Sequence, residues 1–275
     1  MHSSPHSRSE DFAQGIGQHW TQTHFGGGLL SVADGVLHMG FDSAQQGHYT
    51  DAQIDDYANL ARADFPWKPP LRMELRARAS HMAATPGHNT PDDPTMLRGT
   101  AGFGFWNYPF SVRGDILMLP ESVWFFYASP PSNMALVPGI PGYGWKAQVV
   151  HSMRAGALAS LVPTALTTGW GRLTGDTQPA ARWLQRLSGA HEAVITAPFT
   201  DWHTYTLEWR TGLATFWVDG HVVLRVPNPP TRPLGFVAWL DNQYAIATPQ
   251  GVLRFGTVES GPQWLEIANI RINSL

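Results

Sequence analysis

Three stretches of this chain set polar side chains directly against apolar, strand-like runs, and that is where chemistry could be done. In Gly235-Phe236-Val237-Ala238-Trp239-Leu240-Asp241-Asn242-Gln243-Tyr244 an apolar run leads straight into an acid, two amides and a phenol. Asp241 could serve as a general base if apolar neighbours raise its pKa, because burial disfavours the charged carboxylate. Asp241 and Asn242 are therefore the candidate catalytic residues, with Trp239 and Tyr244 as candidate ligand contacts. A polar strand end that only satisfies a turn would read the same way. Trp106-Asn107-Tyr108 closes a second aromatic run just before Pro109, and there Asn107 could orient a ligand carbonyl or hydroxyl. The third stretch, Pro141-Gly142-Tyr143-Gly144-Trp145-Lys146, reads as a loop carrying Trp145 at the mouth of a cleft.

Other chemistries lack their residues. There are no cysteines, so thiolate nucleophiles, disulfides and Cys-based zinc sites are out of reach. Twelve histidines are present, yet none forms a His-Glu-x-x-His pair. His81 and His88 lie near Asp92 and Asp93 in one Pro-rich loop, a poor metal set, and no metal is expected. No Gly-rich loop leads from a strand into a helix and no Gly-x-Ser-x-Gly elbow occurs, so no cofactor is expected. The net charge of −3 gives no sign of a nucleic-acid partner. No apolar run approaches the ~18 residues of a membrane span. Met1 to Asp11 lack the apolar middle of a signal peptide, so the expected location is the cytoplasm and the expected N-terminal tail, residues 1–15, is disordered.

The elements that must position these residues are strands. Leu71 to Ala79 alternates, with Leu71, Met73, Leu75 and Ala77 on one face and Arg72, Glu74, Arg76 and Arg78 on the other. Two Asp-Gly turns, at Asp34-Gly35 and Asp219-Gly220, mark hairpins. Thr100 to Asn107, Val123 to Ser129, Trp202 to Trp209, Leu234 to Leu240 and Trp264 to Ile272 add further strands. The composition is 43% hydrophobic and 14% charged, enough apolar material for a substantial core. Many strands punctuated by Pro and Gly predict a single all-β domain, a sandwich or a barrel, over residues 16–275. His151 to Thr168 and Thr177 to Leu187 break the pattern. They predict a helical or loop insertion over 151–190, either a lid or a segment packed on the sandwich edge.

The stretch Asp201-Trp202-His203-Thr204-Tyr205-Thr206-Leu207-Glu208-Trp209, followed by Phe216-Trp217-Val218-Asp219-Gly220, resembles the "W-H-T-Y-x-x-x-W … F-x-V-D-G" hairpin of laminarinase/lichenase-type glycoside hydrolases. Leu71 to Ala79, Gly102 to Trp106 and Trp264 to Ile272 match that family's order of strands. The resemblance implies a concanavalin A-like jelly roll, a two-sheet antiparallel β-sandwich. It also implies a catalytic strand reading like "W-P-x-x-G-E-I-D-x-x-E", and here the chain departs. Aligned on Pro120, Trp124, Phe126 and Ser129 stand where the acids would be, and Glu121 is the one acid between Ile116 and Ser129. Retaining hydrolysis needs two carboxyl groups about 5–5.5 Å apart, and this strand cannot supply them.

The expected function is therefore binding of a small apolar or aromatic ligand in an aromatic-lined concave cleft. Trp106, Asn107, Trp124, Phe126, Ser129, Trp145, Trp239 and Tyr244 would line it. If the protein is an enzyme, cyclisation, isomerisation or elimination suits one or two polar groups in such a cleft. The alternatives are a carbohydrate-binding, lectin-like module, or a glycoside hydrolase with displaced carboxylates such as Asp241 with Glu121.

Overall fold

The computed structural model describes residues 7–85, 93–108, 120–134, 136–151, 189–247 and 253–275. Among these, the first sheet runs in the order β14 (His221–Pro227), β13 (Leu213–Val218), β12 (His203–Trp209), β6 (Leu71–Ala79), β18 (Gln263–Ser274), β4 (Val36–Phe41) and β3 (Leu29–Ala33). The long β18 holds β4 along its first half and β1 (Ser7–Glu10) along its second. The second sheet runs β11 (His191–Val194), β10 (Gly144–His151), β8 (Glu121–Ala128), β7 (Thr100–Trp106), β15 (Gly235–Asp241), β5 (Asp51–Asp55) and β2 (Thr21–Phe25). A small ribbon of β17 (Leu253–Thr257), β16 (Gln243–Ala247) and β9 (Asn133–Met134) completes the set. Every pairing in the two large sheets is antiparallel, and β6 lies beside β18 across most of the sequence. This is the expected all-β two-sheet sandwich.

Alternation decides which side chains meet. Leu71, Met73, Leu75 and Ala77 of β6 are buried, as the pattern predicts, and Arg76 on the opposite face is exposed. From the second sheet Phe103, Phe105 and Phe125 point into the same core. There Phe103 meets Tyr205, with ring centroids 5.1 Å apart, and Phe125 meets Phe216 at 5.3 Å. Both Asp-Gly turns form as read. Asp34 and Gly35 have φ of 53° and 73°, and Asp219 and Gly220 have 49° and 77°, positive at both central positions as a type I′ hairpin requires.

Two expectations from the sequence are corrected here. From Ser7 onward the expected disordered tail is ordered: β1 pairs with β18, and Arg8 forms an ion pair with the buried Asp56. Its polar Ser-Arg-Ser-Glu sequence carries no hydrophobic alternation, because backbone bonds and one charge hold it in place. Trp145 is the second. It belongs to β10, is 1% exposed and stacks on Phe199 at 4.5 Å in the core. The Gly and Pro residues before it suggested a loop, but Trp145, Ala147 and Val149 alternate inward. The predicted insertion lies outside the described residues apart from its ends, 151 and 189–190.

Candidate functional site

The face of the second sheet turned away from the core carries the site. Its residues follow from strand parity, because side chains one residue apart point to opposite faces. Val123, Phe125 and Tyr127 of β8 are fully buried in the core, so Trp124, Phe126 and Ala128 occupy the other face. Register then lines up Trp239, Gly102, Phe126 and Lys146 across four strands. The next row holds Val237, Gly104, Trp124, Gln148 and Glu192.

Two glycines make room for large rings. A Cβ on Gly102 would lie 2.8 Å from the Trp239 ring, and one on Gly104 would lie 2.6 Å from the Trp124 Cβ. The glycines of β7 are thus the floor over which the two indoles sit. The result is a contiguous bank of four rings. Trp124 stacks on Phe126 at 5.4 Å and meets Trp239 at 5.1 Å and Trp106 at 5.7 Å.

Each indole N–H of the bank is tied to an internal acceptor. Trp124 Nε1 donates to Gln148 Oε1 at 2.6 Å, Trp106 Nε1 to Tyr57 Oη at 2.6 Å, and Trp239 Nε1 to Thr100 Oγ1 at 2.9 Å. These bonds fix the ring planes and leave aromatic faces as what the bank presents. Behind Trp124, Gln148 also donates to Glu192, whose other oxygen accepts from Lys146 Nζ at 3.3 Å. Burial pushes Glu192 up and Lys146 down, and their mutual attraction opposes both shifts.

A second polar group borders the bank at Trp239. Thr100 Oγ1 donates to Asp241 Oδ1 at 2.7 Å, and the backbone N–H groups of Thr100 and Gln243 reach the same oxygen at 3.3 and 3.0 Å. Burial nonetheless pushes the Asp241 carboxyl up to about 6, against the pull of those donors. Directly opposite it on β5 stands Asp51. Burial, and then the Asp241 charge, push Asp51 well above the usual carboxylate range.

Of the residues singled out in the sequence, Trp106, Trp124, Phe126, Trp239 and Asp241 come together on this face. The others have their side chains engaged elsewhere. Asn242 is 0% exposed; its Oδ1 accepts from Thr50 N, and its Nδ2 donates to the carbonyls of His48 and Val258, so it clips loops together. Asn107 is buried and accepts from Glu121 N at 3.1 Å. Ser129 accepts from Gly99 N and donates to Pro130 O, inside the turn after β8. Trp145 is in the core. Tyr244 lies on the small ribbon, packed over Gly256.

Glu121 faces the core side of β8 beside His151, at 3.4 Å. It is seven residues from Ala128, the β8 residue aligned with Thr100 and Asp241, or about 23 Å along a strand. Asp241 and Glu121 therefore cannot flank one bond. Sequence pattern alone missed Asp51, Gln148, Lys146 and Glu192. Alternation in Asp51-Ala52-Gln53-Ile54-Asp55 and in Trp145-Lys146-Ala147-Gln148-Val149 was the available signal.

No family model and no curated protein matches the sequence. Solved structures do match in fold. A prokaryotic β-1,3-1,4-glucanase (lichenase) derived from a mouse hindgut metagenome superposes with a TM-score of 0.52 at 11% identity, covering 98% of this chain and 99% of that one. A structure described among endo-acting O-glycanases of the human gut microbiota gives 0.53 at 11% identity, over 98% of each chain. A Crh5 transglycosylase in complex with NAG gives 0.50 at 13% identity, over 98% of this chain and 85% of that one. At these identities the likeness is one of fold: the chain shares the two-sheet jelly-roll fold of these structures.

Proposed function

We propose that this protein binds a carbohydrate chain across the aromatic bank and does not cleave it by the strand-borne carboxylate pair that the resemblance to laminarinase/lichenase-type hydrolases implies. The observation that carries the reading is the bank itself. Trp106, Trp124 and Phe126 are half-buried beside the buried Trp239, and with the three indole N–H groups turned inward they offer apolar faces, which suit the C–H faces of sugar rings. The neighbours in fold are described as acting on glycans or holding NAG. The strand that bears Trp124 and Phe126 has rings where an acid pair would be needed.

The test is binding and turnover measured together. Laminarin, lichenan and their oligosaccharides should quench or shift tryptophan fluorescence in the wild type and fail to do so in Trp124→Ala. Reducing-sugar release should stay at background. Turnover at enzymatic rates, or no binding by any β-glucan or mucin-type glycan, would overturn the reading.

One observation favours a second reading, a small planar apolar ligand. The rings around Trp124 are tilted by 31° to Trp106 and 41° to Trp239, a curved wall rather than a flat platform. On such a ligand Asp241 is the group placed to accept a proton, and cyclisation, isomerisation or elimination is the class of step one base could assist. Tighter binding of a naphthalene-type fluorophore than of any glycan would favour it.

A further inference from the structure

The backbone places two acids in closer quarters than a β-sheet ordinarily tolerates. In the β15–β5 ladder, Asn242 N bonds to Thr50 O and Asp56 N to Phe236 O. Those bonds fix the hydrogen-bonded positions, so Asp241 and Asp51, which stand opposite each other, occupy the intervening kind. At such positions the Cα atoms approach to about 4.5 Å and the side chains are closest. Like charges directly opposite repel, and this pair is also withdrawn from water, with Asp51 3% and Asp241 5% exposed.

Among the described residues no Lys, Arg or His forms an ion pair with either carboxylate. The other titratable groups acting on the cluster are Tyr49, which hydrogen-bonds to Asp51, together with Tyr108 and Asp55. The two acids differ in their partners. Asp241 Oδ1 accepts three hydrogen bonds, as an ionised carboxylate would. Asp51 Oδ1 is buried with no hydrogen-bond partner among the described residues. A polar oxygen buried without a partner calls for an explanation in a native structure.

We propose that Asp51 and Asp241 hold one proton between them at neutral pH, Asp51 as the neutral acid and Asp241 as the carboxylate. We further propose that Asp51 Oδ1 is the polar anchor for an oxygen of a ligand lying on the adjoining aromatic bank. Both acids stand on the same face as Trp239, and the link is physical: Asp241 holds Thr100, and Thr100 holds the Trp239 indole. The ligand class is a polyhydroxylated or ether-bearing chain, and in this the anchor role rests on the carbohydrate reading above. A neutral acid can donate to such an oxygen without carrying a buried charge.

Two measurements on the full chain test it. The first needs no ligand: carbon-13 NMR of carboxyl-labelled aspartates, titrated between about pH 4 and 9, in the wild type, Asp51→Asn and Asp241→Asn. One carboxyl should keep its proton at pH 7, and Asp241→Asn should move the Asp51 midpoint to lower pH by removing the opposing charge. Asparagine keeps the shape and the acceptor for Thr100, so both variants should fold. Ionisation of every aspartate by about pH 5, or an Asp51 midpoint unmoved by Asp241→Asn, overturns the shared proton.

The second measurement is calorimetric binding of laminarihexaose. Asp51→Ala removes the O–H donor and puts no other in its place, and should weaken affinity about tenfold, the scale of one hydrogen bond to a ligand. Full affinity in Asp51→Ala with affinity lost in Trp124→Ala overturns the anchor while the carbohydrate reading stands. No binding by the wild type overturns the anchor and the carbohydrate reading together, and the titration then decides the shared proton alone.

Discussion

Replacing Asp241 with asparagine should stabilise this protein near neutral pH and leave it unchanged in mild acid. Burial pushes the carboxyl from its ordinary value near 3.8 up to about 6. Below about pH 4 both the folded and the unfolded chain hold the proton, so the group contributes no difference. Between these values the folded chain keeps a proton that the unfolded chain has lost, and stability falls as pH rises. Above about pH 6 the folded state carries the whole cost of a buried charge. At about 1.4 kcal/mol per tenfold change in proton affinity, that cost is about 3 kcal/mol. The asparagine amide would carry no charge and could still accept from Thr100, so Asp241→Asn should recover most of it. Relief of Asp51 acts in the same direction. Urea unfolding of both proteins at pH 3.5 and pH 8 is the assay. The variant should gain up to about 3 kcal/mol at the higher pH, or about 6–10 °C in melting temperature for a chain of this size, and little at the lower. A gain of equal size at both pH values, or a loss at pH 8, would refute the argument from buried charge.

The remaining predictions concern packing and the N-terminal strand. Phe125→Ala removes a ring packed against Phe103, Tyr205 and Phe216 and should cost about 3–5 kcal/mol in denaturant unfolding. Trp124→Ala should cost less and chiefly abolish ligand binding; equal destabilisation with intact binding would make Trp124 a core residue. Arg8→Ala leaves the buried Asp56 without its cation and should destabilise by about 3–5 kcal/mol at pH 8. The loss should shrink toward pH 5 as Asp56, whose pKa burial pushes up to about 6, takes a proton.

The sheets were legible in the sequence wherever apolar and polar residues alternated strictly and an Asp-Gly turn set the register. β6 and the β12–β13–β14 meander are examples. The inward and outward faces of β8 were legible for the same reason, although nearly every residue there is apolar, because period two needs only one anchor such as Phe125. What could not be read was partnership across strands. Asn242 and Asn107 look like site amides by composition, yet their hydrogen bonds go to segments up to 197 residues away. Trp145 was misplaced because Gly142 and Gly144 suggested a loop, whereas φ of 101° at Gly144 marks the start of a strand. Asp51 carries no motif at all. Its significance appears only when the sheet sets β5 beside β15, a pairing between residues 51–55 and 237–241 that no local pattern encodes.

That pairing also bears on what the face can bind. The aromatic bank begins on β8 and the acid pair ends on β5, with β7 and β15 between them. Neighbouring strands lie about 4.8 Å apart, so three spacings are about 14 Å; register sets Trp124 opposite Asp55, so Asp51 lies four residues, about 13 Å, further along the strand, and the diagonal from Trp124 to Asp51 is about 20 Å. A single small planar molecule would cover the rings around Trp124 and Trp239 but stop short of the acids, or reach the acids and leave Phe126 bare. A chain of rings lying across the strands would meet both, its apolar faces on the indoles and an oxygen at the neutral acid. Gly102 and Gly104 bear on the same point. A Cβ at either position would meet the Trp239 ring or Trp124, so their missing side chains give the indoles room over β7. The tilted aromatic wall and the proposed anchor thus lie three strand spacings and four residues apart, a separation that an extended, oxygen-rich chain spans.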